Sequence, residues 1–290
     1  MSSIYLSGGI GNQLFQISFG HYLNLIQEEK VYVVKPRLNT GLPHTHLTFF
    51  QEDYRCEHCT YRIHQGNPLW NELMNPWSDR PSARILRRFK DVRGQPFISR
   101  EEMGKTSAKN TYLGYFQNIE FIKPIAETIH REITQVLEAK EKKLPLFTEQ
   151  RNIEVIHIRQ GDTNSPANKK RVGILNRDFY KRILRRKIGF GCRIVVTDDV
   201  EGAKRVLQGI EVDCIYGPDD LDPWQSLSVM TNATRLVVAN STFSWWGGFL
   251  ALQNDAEVII PKPFFISSEL DTRGALKYPG FMEAESSFIH

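Results

Sequence analysis

Between residues 153 and 260 the chain repeats one pattern five times, a short run of β-branched and other apolar residues followed by a polar turn. The runs are Ile153–Ile158, Arg193–Thr197, Val212–Tyr216, Arg235–Ala239 and Val258–Ile260, with helical stretches near 176–187, 200–208, 223–232 and 243–253 between them. Strands that are apolar on both faces need cover on both faces, which a parallel sheet flanked by helices supplies. Alternating strands and helices of this kind imply a doubly wound α/β domain, with ligands at the carboxyl ends of the strands. The amino terminus opens in the same way: Ile4–Leu6 as a strand, a helix through Leu14, Phe15, Phe19, Tyr22, Leu23 and Ile26, then Val31–Val34.

A chain of 290 residues exceeds one ordinary core, so two domains are expected. The break falls at Lys140–Pro145, after a helix over about 120–140, which places the first domain at 1–145 and the second at 146–290. The C-terminal tail is then available to pack back on the first domain. The span from about 36 to 110 mixes Pro, Trp, His and Arg with no sustained period, and reads as helices and loops inserted around the first sheet.

Four polar clusters end four of the strands. Gly8-Gly-Ile-Gly-Asn-Gln13 follows the first, where glycine allows close backbone approach to a ligand and Asn12 and Gln13 add amide donors. It lacks the third glycine of the dinucleotide fingerprint, and a tight strand-to-helix turn explains it equally. His157-Ile-Arg-Gln-Gly-Asp162 closes the 153–158 run; alternation sets His157 and Arg159 on one side, and Arg presents a planar fork suited to phosphate. A structural pair between Arg159 and Asp162 is the alternative. Thr197-Asp-Asp199 offers paired carboxylates for a metal, for ribose hydroxyls or for a guanine edge, unless one of them caps the next helix. Asn240-Ser-Thr-Phe-Ser-Trp-Trp-Gly-Gly248 reads as a strand end meeting a helix that Ser241 or Thr242 caps, and such a terminus attracts phosphate. The competing reading is an aromatic helix start packed for stability alone.

Taken together, these segments resemble the inverting α-1,2-fucosyltransferase family. That family's Gly-Gly-Leu-Gly-Asn-Gln-Met-Phe-Gln is similar to Gly8–Gln16, its His-x-Arg-Arg-Gly-Asp to His157–Asp162, and its Asn-Ser-Ser-Phe-Ser-Trp-Trp-Gly-Ala to Asn240–Gly248. Gly114–Gln117, Thr197–Asp199 and Pro261–Phe264 are weaker matches, and the span 36–110 carries none. The resemblance implies a GT-B fold, two Rossmann-like domains facing a central cleft, with GDP-fucose as donor and neither cofactor nor metal required. It implies that Arg159 grips the β-phosphate together with the N–H groups around Ser241, Thr242 and Phe243. His157 and one of Asp198 or Asp199 would contact guanine or ribose, Asn240 belongs to the same donor site, and Gly9, Gly11 and Asn12 line the cleft from the other domain. Asp162 is the candidate base by position. Where the family has a second Arg this chain has Gln160, so either one Arg suffices or another basic group such as Arg171 compensates.

The expected acceptor is a galactose-terminated oligosaccharide or a lipid-linked glycan. Rival readings are a fucosyltransferase of another linkage, a protein O-fucosyltransferase, or a non-catalytic nucleotide-sugar binder. A net charge of +4 is too small for a dedicated nucleic-acid binder, and the basic runs Arg84–Arg93 and Lys181–Lys187 hold only one aromatic, Phe89. Those runs read as solvated helix faces, with peripheral contact to an acidic membrane face as the alternative. No run of 18 apolar residues occurs and Met1–Ser7 lacks a signal-peptide pattern, which makes the expected location cytoplasmic. Four cysteines are too few for a disulfide framework. Cys56-Glu-His-Cys59 has zinc-ligand spacing, but two reduced thiols in a loop account for it without metal.

Overall fold

The computed structural model describes residues 2–6, 8–28, 30–36, 60–64, 92–93, 111–112, 114–140, 152–161, 166–184, 189–267 and 275–289. The chain divides into two compact units, Met1–Glu132 and Ile133–His290. The division falls inside a helix, several residues before the Lys140–Pro145 segment at which the sequence places it.

The first unit is built on a parallel sheet of β1 (Ser2–Tyr5), β2 (Val31–Pro36), β3 (Thr60–His64), β4 (Val92–Arg93) and β5 (Thr111–Tyr112), in the order β3-β2-β1-β5-β4. The span 36–110 therefore does more than surround this sheet, since it supplies β3 and β4. Helix α1 (Ile10–Gln27) joins β1 to β2 and buries Leu14, Phe15, Ile17, Phe19, Tyr22 and Leu23. Gly20 lets it sit close on the sheet: a Cβ there would stand 3.3 Å from Ile4 and 3.5 Å from Val31. The helix ends at Glu28, whose left-handed φ of 55° turns the chain toward β2.

Two 3-10 turns, Ile119–Phe121 and Lys123–Ile125, precede α2 (Ala126–Lys140), where the sequence suggests one continuous helix. Pro124 is the reason, because its ring removes an N–H donor and favours a helix start.

The second unit carries β6 (Ile153–Ile158), β7 (Cys192–Thr197), β8 (Cys214–Tyr216), β9 (Arg235–Val237), β10 (Glu257–Lys262) and β11 (Met282–Glu285). Their order is β11-β10-β9-β6-β7-β8 and every pairing is parallel. Counted from β6 this is 3-2-1-4-5-6, the dinucleotide-fold order, whose winding reverses between β6 and β9. All six residues of β6 and of β7 are buried, as central strands covered on both faces must be. The edge strand β11 is absent from the sequence reading, because the alternation of Met282 and Ala284 with two Glu is too short and too weakly apolar to reveal it. With Phe288 bridging to Leu175, β11 builds the C-terminal segment into this unit's own sheet.

The connecting helices are α3 (Pro166–Arg171), α4 (Arg177–Ile183), α5 (Val200–Val206), α6 (Pro223–Thr231) and α7 (Thr242–Gln253). Four of them begin on a side-chain cap, from Asn176, Asp199, Asp222 and Ser241 in turn. Ile156, Ile158 and Val195 form one core with Phe179, Tyr180, Ala203 and Val206 of α4 and α5.

At the amino ends of the strands an ionic ladder crosses the sheet. Glu154 of β6 accepts from Arg193 of β7 and from Arg235 of β9, and Arg235 Nε lies 2.8 Å from Glu257 of β10. Each pair sits directly opposite in the strand register.

Candidate active site

The carboxyl ends of β6 and β9 flank the point at which the winding of the second sheet reverses, where open α/β sheets leave a crevice for ligands. Both chemistry-bearing motifs of this unit lie there. His157 is on β6, Arg159 and Gln160 follow it, and Asn240–Phe243 lead from β9 into α7.

Each residue of the first motif has a separate environment. His157 is 3% exposed, its ring centroid lies 6.0 Å from that of Phe243, and its Nδ1 is buried without a hydrogen-bond partner. Burial first, and the neighbouring Arg159 charge second, lower its pKa to about 3, so the imidazole is neutral at ordinary pH. It offers a hydrogen bond there, not a charge. Arg159 lies with Nε 3.1 Å from Oδ2 of Asp198, and about a fifth of each side chain is exposed. Gln160 is buried and its Nε2 has no partner.

The two aspartates divide their work. Asp198 accepts from the backbone N–H of Gln160 at 2.8 Å and of Gly161 at 3.0 Å. Asp199 caps α5 by accepting from Gly202 N–H at 2.9 Å, the alternative that the sequence left open for one of the pair. Carboxylates engaged in this way have fewer lone pairs to offer a metal or a ribose. Asp162 lies outside the described residues, as do Cys56 and Cys59.

The second motif separates into structural and surface parts. Asn240 is 3% exposed, and its amide donates to the carbonyls of Val172 and Gly173, each at 3.0 Å. It ties α7 to the α3–α4 connection, a partner that no local signal in the sequence could indicate. Ser241 caps α7 by accepting from Phe243 N–H at 3.3 Å, so the positive end of a helix opens just past β9. Ser241, Thr242 and Phe243 are half-buried, whereas the tryptophans behind them belong to the core. Trp245 and Trp246 are fully buried, and Trp245 donates from Nε1 to Leu276 O at 2.7 Å. The glycines that follow are set by packing: a Cβ on Gly247 would meet Met230 at 2.9 Å, and one on Gly248 would meet Val258 at 3.0 Å.

In the first unit, Gly8–Gln16 and Gly114–Gln117 form a single cluster. Gln117 Nε2 donates to Asn12 Oδ1 at 2.8 Å, Gln16 Nε2 donates to Gly114 O at 2.7 Å, and Phe19 stacks on Phe116 at 4.1 Å. Gly9 is the N-cap position of α1 and lacks a side-chain cap. Among the described residues no heavy atom lies within 4 Å of a Cβ built on it, so backbone can be approached closely there. Gly11 lies buried in the first turn of α1.

An Arg fork and a capped helix terminus at the reversal point of a dinucleotide-type sheet make an arrangement suited to an anionic ligand. Residues 74–278 match the family described as glycosyl transferase family 11, and the chain belongs to that family; it is a glycosyltransferase. The matched range begins inside the span 36–110, where no motif is legible, and leaves out the Gly8–Gln16 motif. The O-antigen biosynthesis glycosyltransferase WbnK of Escherichia coli is 24% identical, over 90% of this chain and 93% of that protein. An α-1,2-colitosyltransferase of Escherichia coli is also 24% identical, over 92% of this chain and 93% of its own length. Among solved structures, the fucosyltransferase NodZ from Bradyrhizobium aligns with a TM-score of 0.48 at 11% identity, over 86% of this chain and 92% of that one. Among the described residues no helix is long and apolar enough to cross a membrane.

Proposed function

We propose that the chain transfers L-fucose from GDP-β-L-fucose to a galactose hydroxyl of a glycan, in α-1,2 linkage, by a single inverting displacement that needs no metal. The observation that carries this reading is that the turn bearing Arg159 and the N-terminus of α7 follow the carboxyl ends of the neighbouring strands β6 and β9, where the winding of the sheet reverses. Breaking the sugar–phosphate bond gives the ring oxocarbenium character and leaves negative charge on departing GDP. Donors fixed in advance toward that phosphate stabilise the transition state without reorganising. The fork of Arg159 and the helix end fit this role, and the engagement of Asp198 and Asp199 within the protein supports a reaction that does not recruit them for a cation.

In this reading neutral His157 gives its unpartnered Nδ1 to the nucleoside part of the donor. In the first unit, Gly9, Gly11 and Asn12 contact the ligand at the start of α1. Asp162 receives the acceptor hydroxyl proton. The acceptor is a galactose-terminated oligosaccharide or a lipid-linked glycan.

The test is GDP release from GDP-fucose against a panel of galactose-terminated oligosaccharides, with and without excess EDTA, and linkage analysis of the product. Release that persists in EDTA and yields an α-1,2 product is expected. Loss of turnover on chelation, restored by magnesium or manganese, would overturn the metal-free mechanism. The relative named for colitosyl transfer supports a second donor, so a nucleotide-linked colitose belongs in the same panel. Turnover of that donor alone would replace fucose while keeping the site.

A further inference from the structure

We propose that Asp198 is a positioning residue for Arg159. Its carboxylate holds the guanidinium and the 159–161 turn in the orientation that meets the donor phosphate, and does not itself touch the donor. This rests on the phosphate role of Arg159 proposed above. Three donors converge on the one carboxylate: Gln160 N–H at 2.8 Å on Oδ1, Gly161 N–H at 3.0 Å on Oδ2, and Arg159 Nε at 3.1 Å on Oδ2. A contact through Nε fixes the plane of the guanidinium, and therefore the direction of its two Nη groups. The two backbone contacts fix the segment from which Arg159 projects, so the pair is held at both ends of the side chain. A solvent-exposed pair of long side chains has no such anchor.

The glycine of the motif follows from the same arrangement. A Cβ on Gly161 would stand 2.8 Å from Asp198 Oδ2 and 3.2 Å from its Cγ, so any side chain there pushes the carboxylate off the turn. Asp198 follows β7 and Gly161 follows β6, two neighbouring strands, which makes the clamp a product of the sheet and not of the local sequence. Simple charge attraction makes the opposite forecast, because neutralising an acid beside a diphosphate site should strengthen anion binding.

The experiment measures kcat/KM for GDP-fucose in the wild type, Asp198→Asn, Arg159→Ala and the double variant, with thermal unfolding of each. Asp198→Asn is expected to lose on the order of 100-fold, the scale of a misoriented catalytic group. The double variant should be no slower than Arg159→Ala alone, because a clamp without its Arg has nothing left to orient. Multiplying losses would show that Asp198 acts on the donor independently, and near-normal turnover of Asp198→Asn would remove it altogether; either result overturns the proposal. Near-normal turnover of Arg159→Ala would instead sink the phosphate reading on which it rests. Should Asp198→Asn fail to fold, Gly161→Ala supplies the same displacement, with the same loss and the same lack of additivity expected on the Arg159→Ala background.

Discussion

The side-chain amide of Gln117 donates to Oδ1 of Asn12 across 2.8 Å, although 105 residues separate the two in sequence. That contact, with Gln16 on Gly114 O, joins the glycine-rich start of the chain to the Gly-Tyr-Phe-Gln segment beyond β5. Asn12 is therefore held in place by a neighbour, which would preorganise its amide for the ligand role proposed above.

Gly8 sets the limit on this cluster. Its φ is +73°, and a Cβ would stand 2.6 Å from Asn12 Nδ2. Gly8→Ala should destabilise the first unit by about 1–3 kcal/mol, from backbone strain together with the lost placement of Asn12. Urea unfolding measures the first effect and the transfer rate the second. Unchanged stability and turnover would show that the cluster tolerates a side chain.

Arg159→Ala should lower kcat for transfer by about 10²–10³-fold, roughly 3–4 kcal/mol, the usual effect of deleting one preorganised donor. Arg159→Lys should recover little of this, since a point charge cannot reproduce a fork held through Nε. Full recovery by Lys would reduce the role of Arg159 to charge alone.

The histidine at the site predicts an acid limb in stability. Its folded pKa of about 3 lies below the ordinary histidine value of 6.5, so below pH 6.5 the unfolded chain binds a proton that the folded chain refuses. Stability is unaffected above that pH and falls as the pH drops from 6.5 toward 3, by about 1.4 kcal/mol per unit for one proton. Between pH 7 and 5 the wild type should lose up to about 2 kcal/mol more than His157→Gln in urea denaturation. Parallel profiles would show that His157 titrates freely.

At the opposite end of the strands the ionic ladder predicts unequal losses. Glu154 is fully buried and serves both Arg193 and Arg235, so Glu154→Gln leaves two cations short of a partner. A loss of about 3–5 kcal/mol is the scale for breaking such a pair. Arg193→Met leaves Glu154 still paired with Arg235 and should lose less. The reverse order, read from equilibrium unfolding, would mean that Arg193 is held mainly by bonds other than that to Glu154, such as the one to Glu211 O at 2.9 Å.

Local physics made the second unit legible. Continuous β-branched runs between capped amphipathic stretches locate β6, β7, β9 and β10 and the helices after them, and Asp199 and Ser241 are caps because of what immediately follows each. The polar clusters at the strand ends could be read in the same way, since the carboxyl end of a parallel strand is fixed by its direction. Three other features depend on residues far apart in the chain. Strands β4 and β5 are two residues each, too short to carry any period, and exist because β1 offers an edge to β5 and β5 in turn offers one to β4. The packing role of the Trp-Trp-Gly-Gly sequence becomes visible only when Met230 and Val258 are seen to fill the space beside the glycines. Asp198 reads as a ligand from its sequence neighbours and as a clamp from its spatial ones. A carboxylate bonds whatever donors approach it, and the pairing of β6 with β7 brings those donors close.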